Sequence, residues 1–261
     1  TGELTFNGAV AYPVGPLNRG VANVVGIVLT YSRLTVGLSA AAFMARASRE
    51  AKKYSEFRKA FGILIGNFPM VKGQVDEIEH FAKRTTAGAF RLYRDFLDLE
   101  NDKSAGDSPE LKRKKFMVRE LIMLQKITAS MDSTDVIRIA MSIFGGHGIM
   151  EDFSSLPRLY RDSAINELWE GPRNVLLTQI HRDIQKAKSW YPVADLAADM
   201  LAGADRELIE QFTAELEEIV AHPSLFVLND ETLRICVKLD DFSSRLFHAY
   251  QDLALAEVER G

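Results

Sequence analysis

The sequence holds a single cysteine, Cys236, in 261 residues. That excludes an internal disulfide and a cysteine-rich metal cluster, and it fits a reducing compartment, so a cytoplasmic location is expected. Surplus charge is also scarce: 32 Lys and Arg face 36 Asp and Glu, for a net charge of -4. Without a positive excess the chain has no general electrostatic pull on nucleic acid or anionic lipid. No secretory signal is evident. The longest apolar stretch, around Val24 to Leu29, is interrupted by Asn23 and Arg33, well short of the roughly 20 residues of a membrane span. An initiator Met is missing too; the opening Thr1-Gly2-Glu3 reads as a processed product, an engineered truncation or a proteolytic fragment. What is present is an ordinary folded composition, 47% apolar and 26% charged, which argues against disorder.

Residues 3–15 alternate loosely and carry Gly8, Pro13 and Gly15, the pattern of a strand running into turns. It is the only credible strand, and one strand makes no sheet, so its partners are expected outside this chain. After Gly20 the periodicity becomes helical. Val21, Val24, Val25, Val28 and Leu29, then Val36, Ala40, Phe43 and Ala47, recur at three- and four-residue steps and predict a buried helix to about Tyr54. A second helix is expected from about Asn67 to Glu100, followed by a polar surface link, Asn101 to Asp107. Ser108, Pro109 and Glu110 form a helix-start signal, and Gly145-Gly146 a stop for the third helix. Further helices are predicted over 155–166 and 171–188, broken at Trp169-Glu170-Gly171-Pro172. The fold class is therefore all-α: an antiparallel four-helix bundle with a short N-terminal strand remnant. Two or three amphipathic helices follow the break at Ser189 to Pro192. The units expected are 1–18, 19–188 and a helical extension over 189–261.

A bundle says little about function. The sharper signals are Phe144-Gly-Gly-His-Gly, then Leu159-Tyr-Arg-Asp, then Trp169-Glu-Gly-Pro, with Glu56-Phe-Arg-Lys-Ala-Phe-Gly upstream. In order and spacing this set resembles the acyl-CoA dehydrogenases, over residues 19–184. Their pattern has a Gly-Gly-x-Gly turn, an Arg-Asp pair, an aromatic-Glu-Gly tripeptide opening a helix, and an Arg-x-x-Phe-Gly flavin motif. Residues 3–20 resemble the last strand of that family's middle β-domain and its exit into the helical domain.

The resemblance implies FAD as cofactor, an acyl-CoA substrate, electron-transfer flavoprotein or a similar acceptor, and a homodimer or homotetramer. It puts Glu170 in the place of the catalytic base. Dehydrogenation removes the α-hydrogen of the thioester as a proton and the β-hydrogen as hydride. A carboxylate beside the α-carbon in a water-poor pocket is strengthened as a base. Trp169 would supply an apolar wall, and Gly171 would let backbone approach ligand. Arg33 is carried over as a pocket-lining residue. Some relatives place the base directly before that Arg, but here the position is Ser32. Arg58 and Phe61 would meet the flavin, the Arg across a subunit interface; Gly145 and Gly146 would admit a neighbour's adenosine, with Ser142 nearby.

Simpler readings exist for each group. Glu170 could be a solvated carboxylate at a helix start, Arg58 a surface cation and Phe61 a core aromatic. Arg161 and Asp162 read as a structural ion pair, and Lys112 to Lys115 as a solvated helix face. His147 has no second ligand at metal spacing. Ser142, Pro69 and Pro172 stand where many relatives carry Gln, Gln and a hydroxyl residue, which weakens the expected flavin site. Two competing functions remain. A DNA-associated alkylation-response branch of the superfamily shares a Trp-Glu-Gly tripeptide but wants a basic tail. From residue 185 onward this chain has 15 Asp and Glu against 7 Lys and Arg, the wrong sign for phosphates. A non-catalytic helical oligomerisation module is the other.

Overall fold

A computed structural model describes residues 3–101 and 108–261. The apolar periodicity after Gly20 forms one continuous rod. A short α1 (Gly20–Asn23) passes through a π-helical turn (Val24–Val28) into α2 (Leu29–Phe57). A two-stranded hairpin, β1 (Lys59–Ala60) and β2 (Ile63–Leu64), then leads into α3 (Pro69–Asn101) and α4 (Pro109–Phe144). The Ser108 hydroxyl accepts from the N–H of Leu111 at 3.1 Å, so the expected cap is formed. Gly145, at φ 60°, ends α4. The fourth position of the bundle is filled by α5 (Leu156–Leu168) and α6 (Arg173–Ala187). Then come α7 (Val193–Met200), α8 (Arg206–Ala221) and α9 (Asp230–Arg260).

The helix α2 packs on both α3 and α4, and α5 packs on α4. Their shared core holds Ala40, Met44, Ile78, Ala129, Ile137 and Leu156. Small residues let α2 and α4 approach closely: a Cβ on Gly37 would overlap the side chain of Gln125, whose Nε2 bonds the Leu34 carbonyl at 3.1 Å. The rod Leu17–Phe57 is long and apolar enough, by length and composition alone, to cross a membrane. Its second half, however, is buried in the bundle through Leu34, Ala40, Met44 and Ala47.

Some of these expectations meet a different structure. Residues 3–16 form no strand and expose Phe6, Val10, Tyr12 and Val14, because an extended segment without a ladder partner gains nothing from pairing. The only ladder among the described residues lies instead at 59–64, inside the Arg-x-x-Phe-Gly motif. The link after Asn101 lies outside the described residues. The extension past 189 is no appendage: Phe212, Leu216, Phe242, Phe247 and Tyr250 complete a second core with Leu121, Leu124, Leu176 and Ile180. Part of the basic run fastens it, since Lys112 lies 3.9 Å from the Trp190 ring centre and Arg113 pairs with Asp195 at 3.0 Å.

Beside this core, Glu120 is completely buried and accepts from Arg119 at 2.8 Å through one oxygen only. Burial pushes its carboxyl up to about 8, against the pull of Arg119. The folded chain thus holds a proton that the unfolded chain releases near the ordinary value of 4.5. Stability contributed by that proton is complete below about 4.5 and is lost as pH rises through about 8. Urea midpoints should therefore fall over this range more steeply in the wild type than in Glu120→Gln. Equal slopes in the two proteins would contradict the assignment.

Candidate active site

The break between α5 and α6 is made by local geometry. Pro172 has no N–H to continue a helix, and the two residues before it are left-handed: Glu170 at φ 59° and Gly171 at φ 98°. Glycine adopts this region freely. A glutamate there costs about 1–3 kcal/mol and needs support from its surroundings. Two buried cations provide it. Arg33 Nε, on α2, donates to the Glu170 carbonyl at 2.9 Å. Lys126 Nζ, in the middle of α4, donates to the carbonyls of Gly171 at 2.8 Å and Glu167 at 3.1 Å. A side chain at Gly171 would be strained at its φ of 98°, and its Cβ would lie 2.9 Å from Leu176 Cδ2.

The Glu170 side chain reaches Ser32. Its Oε1 accepts from the serine hydroxyl, while Oε2 is buried with no hydrogen-bond partner among the described residues. Two positions 138 residues apart in sequence, the residue before Arg33 and the tripeptide glutamate, therefore face one point in space. Burial lowers the Arg33 guanidinium, opposed by Glu170 and reinforced by Arg119. Burial likewise lowers the Lys126 ammonium to about 8, with Glu170 opposing and Arg33 adding. Trp169, at the C-terminal cap of α5, is 49% exposed.

The other expected ligands gather elsewhere. Arg58 caps the far end of α2 and is exposed; Phe61, at φ 52° and 99% exposed, forms the hairpin tip with Gly62. Tyr54 joins this end to the end of α4, stacking on Phe144 with centroids 4.0 Å apart and bonding His147 Nδ1 at 3.0 Å. Gly145 and Gly146 are exposed there, with no atom within 4 Å of where a Cβ would sit. Ser142 is exposed and turns its hydroxyl to the Ile139 carbonyl at 2.7 Å. A cleft of about 810 Å³ opens beside them, lined by Arg46, Tyr54, Phe144, Phe153 and Arg158. His147 stacks on Phe153, 4.1 Å between centroids. Arg161 pairs with Glu151 at 2.6 Å rather than with Asp162, since neighbouring residues on a helix point about 100° apart. At a rise of 1.5 Å per residue, Arg58 lies roughly 37 Å along α2 from Arg33. The expected site residues thus fall into two groups far apart along α2.

Sequence reasoning missed Lys126 and the direct part of Ser32. A signal for the lysine existed: it stands inside Ile122-Met-Leu-Gln-Lys-Ile127, on a stretch otherwise destined for the core.

Comparison with known proteins gives these groups a context. A family profile described as acyl-CoA dehydrogenase, C-terminal domain, matches residues 18–185. Acyl-CoA dehydrogenase family member 11 of Caenorhabditis elegans is 25% identical over 242 residues, covering 89% of this chain and 38% of that protein. The chain therefore spans well under half the length of this relative. The fold recurs in C. elegans ACDH-11 in complex with C11-CoA, with a TM-score of 0.67 at 20% identity, over 93% of this chain and 44% of that one. It recurs in an acyl-CoA dehydrogenase complexed with FAD from Bacillus anthracis, with a TM-score of 0.70 at 18% identity and the same coverage.

The crowding at Gly171 is testable. Gly171→Ala combines a disfavoured left-handed backbone with a contact on Leu176, and should destabilise the chain by about 1–3 kcal/mol in urea unfolding. An unchanged midpoint would mean that the turn is not built as described.

Proposed function

Because the chain belongs to the acyl-CoA dehydrogenase family through its C-terminal domain, we propose that Glu170 is the base that takes the α-proton of an acyl-CoA thioester. The observation that carries this reading is the state of its carboxylate: one oxygen is anchored by Ser32, and the other is buried and unpaired. An anchored carboxylate whose other oxygen has no hydrogen-bond partner keeps a lone pair free to receive a proton along one direction. In the reaction the α C–H electrons become the enolate of the thioester and the proton goes to Glu170; the β-hydrogen leaves as hydride. FAD, when bound, supplies the hydride acceptor. Trp169 and Gly171 flank the base as apolar wall and close backbone. Arg33 acts from behind the turn, on the Glu170 carbonyl, rather than on substrate.

The residues at the far end fit a flavin held from outside the chain. Arg58 is an exposed cation for a pyrophosphate, Phe61 an exposed aromatic, and Gly145-Gly146 a surface free of side chains. Their separation from Glu170 supports a homodimer or homotetramer in which each flavin is shared between copies. Electron-transfer flavoprotein or a comparable carrier would reoxidise it, in a cytoplasmic setting. We assign residues 1–18 to the end of a β-domain supplied by a longer parent protein, 19–188 to the flavin and acyl-CoA bundle, and 189–261 to a helical extension. No observation favours the DNA-associated or non-catalytic readings over this one.

The test is flavin reduction by a panel of acyl-CoAs in the full-length, flavin-loaded protein. Glu170→Gln should slow reduction by about 100-fold or more. Undiminished reduction would remove Glu170 from the role.

A further inference from the structure

Among the described residues Lys126 is the only buried lysine. Its side chain is fully buried near the middle of α4, where an aliphatic residue would be the ordinary occupant. Burying an ammonium costs several kcal/mol unless its protons are used. They are used on the Glu167 and Gly171 carbonyls, on either side of Glu170. Glu167 O belongs to the last turn of α5, whose carbonyls have no partner within the helix and carry partial negative charge, so a cation is favoured there. The charged groups surrounding Lys126 are Glu170 from the α5–α6 turn, Glu167 from the last turn of α5 and Arg33 from α2.

Arg33 and Lys126 divide the work. Arg33 holds the carbonyl of Glu170 itself, and Lys126 holds the carbonyls that bracket it. A left-handed non-glycine residue persists only where its neighbours are fixed, and Lys126 fixes those neighbours from the far wall of the bundle. We propose that Lys126 is a positioning residue: by tying Glu167 and Gly171 to α4 it keeps Glu170 in the left-handed conformation that turns its carboxylate to Ser32. The proposal deepens the assignment of Glu170 as base and rests on it for its catalytic meaning. The geometry it describes is measurable without turnover.

The test is a set of urea midpoints in the 261-residue chain, with Lys126→Met introduced into Glu170→Gln and into Glu170→Gly. Both backgrounds lack the carboxylate, but glycine alone adopts the left-handed region without cost. The fall in midpoint caused by Lys126→Met should be smaller with glutamine than with glycine, because only the glutamine turn regains strain energy by leaving the left-handed region once the clamp is lost. Equal falls in the two backgrounds would reduce Lys126 to packing and overturn the proposal. Should Lys126→Met fail to fold, NMR titration of the Lys126 side chain in the wild type and in Glu170→Gln decides instead. Loss of the neighbouring carboxylate should lower the lysine midpoint by about half a unit or more. An unmoved midpoint would separate Lys126 from the turn and overturn the proposal. Either result is independent of flavin reduction: the clamp can fail while Glu170 stays the base, and the base can fail while the clamp holds.

Discussion

Glu170 occupies a backbone region that a glutamate enters only at a cost, and it is kept there by two buried cations reaching from different helices. Arg33 comes from α2 and Lys126 from α4, and both donate to carbonyls of the turn between α5 and α6. Removing the bundle would remove both donors, and the turn would relax toward an ordinary helix end. The packing of α2 against α4, made close by residues such as Gly37 and Ala40, therefore has a consequence beyond stability. It sets how far apart the two donors stand, and so where the carboxylate points.

The same rigid rods divide the site. Because α2 is an uninterrupted helix of 29 residues, a residue at its start and a residue at its end cannot serve one point. Arg33 contributes at one end, and Arg58 with the Phe61 hairpin at the other. The exposed tip groups are costly to leave bare, the aromatic especially, and the proposed second copy supplying the complementary half would account for both their exposure and their distance from Glu170. The extension locks this arrangement. α9 lies along α3, with Gln251 bonding Thr85 at 3.3 Å and Arg84 facing Asp252 at 3.2 Å, while His248 meets Asp132 of α4 at 2.8 Å.

Much of the fold was legible in the sequence because helices announce themselves locally. The valine and alanine spacing along 21–47, the Ser108-Pro109-Glu110 start and the Gly145 stop all lie within a turn or two of what they control. The segment 3–15, expected as a strand with partners outside this chain, forms no ladder here, since a strand depends on partners that local sequence does not supply. The short hairpin at 59–64 has too few residues to show alternation. Within the site, Glu170 was visible through its tripeptide, but the two groups that orient it were not. Ser32 is 138 residues away, and its hydroxyl could be understood only once α2 was laid beside the turn. Lys126 left a trace as a lone charge in an apolar run, and the Lys112 run showed the reverse, since charges assigned to solvent turned out to stack on the Trp190 and Tyr191 rings.

The central claim is geometric, that the bundle presents the Glu170 carboxylate to the α-carbon of a bound acyl thioester. Its most direct test is a crystal structure of the full-length protein with flavin and a non-reactive acyl-CoA analogue. The account predicts a Glu170 oxygen in contact with the α-carbon, with the turn still bonded to Arg33 and Lys126 and with Arg58 meeting the flavin of a neighbouring copy. A carboxylate turned away from the thioester, with another base at the α-carbon, would contradict it.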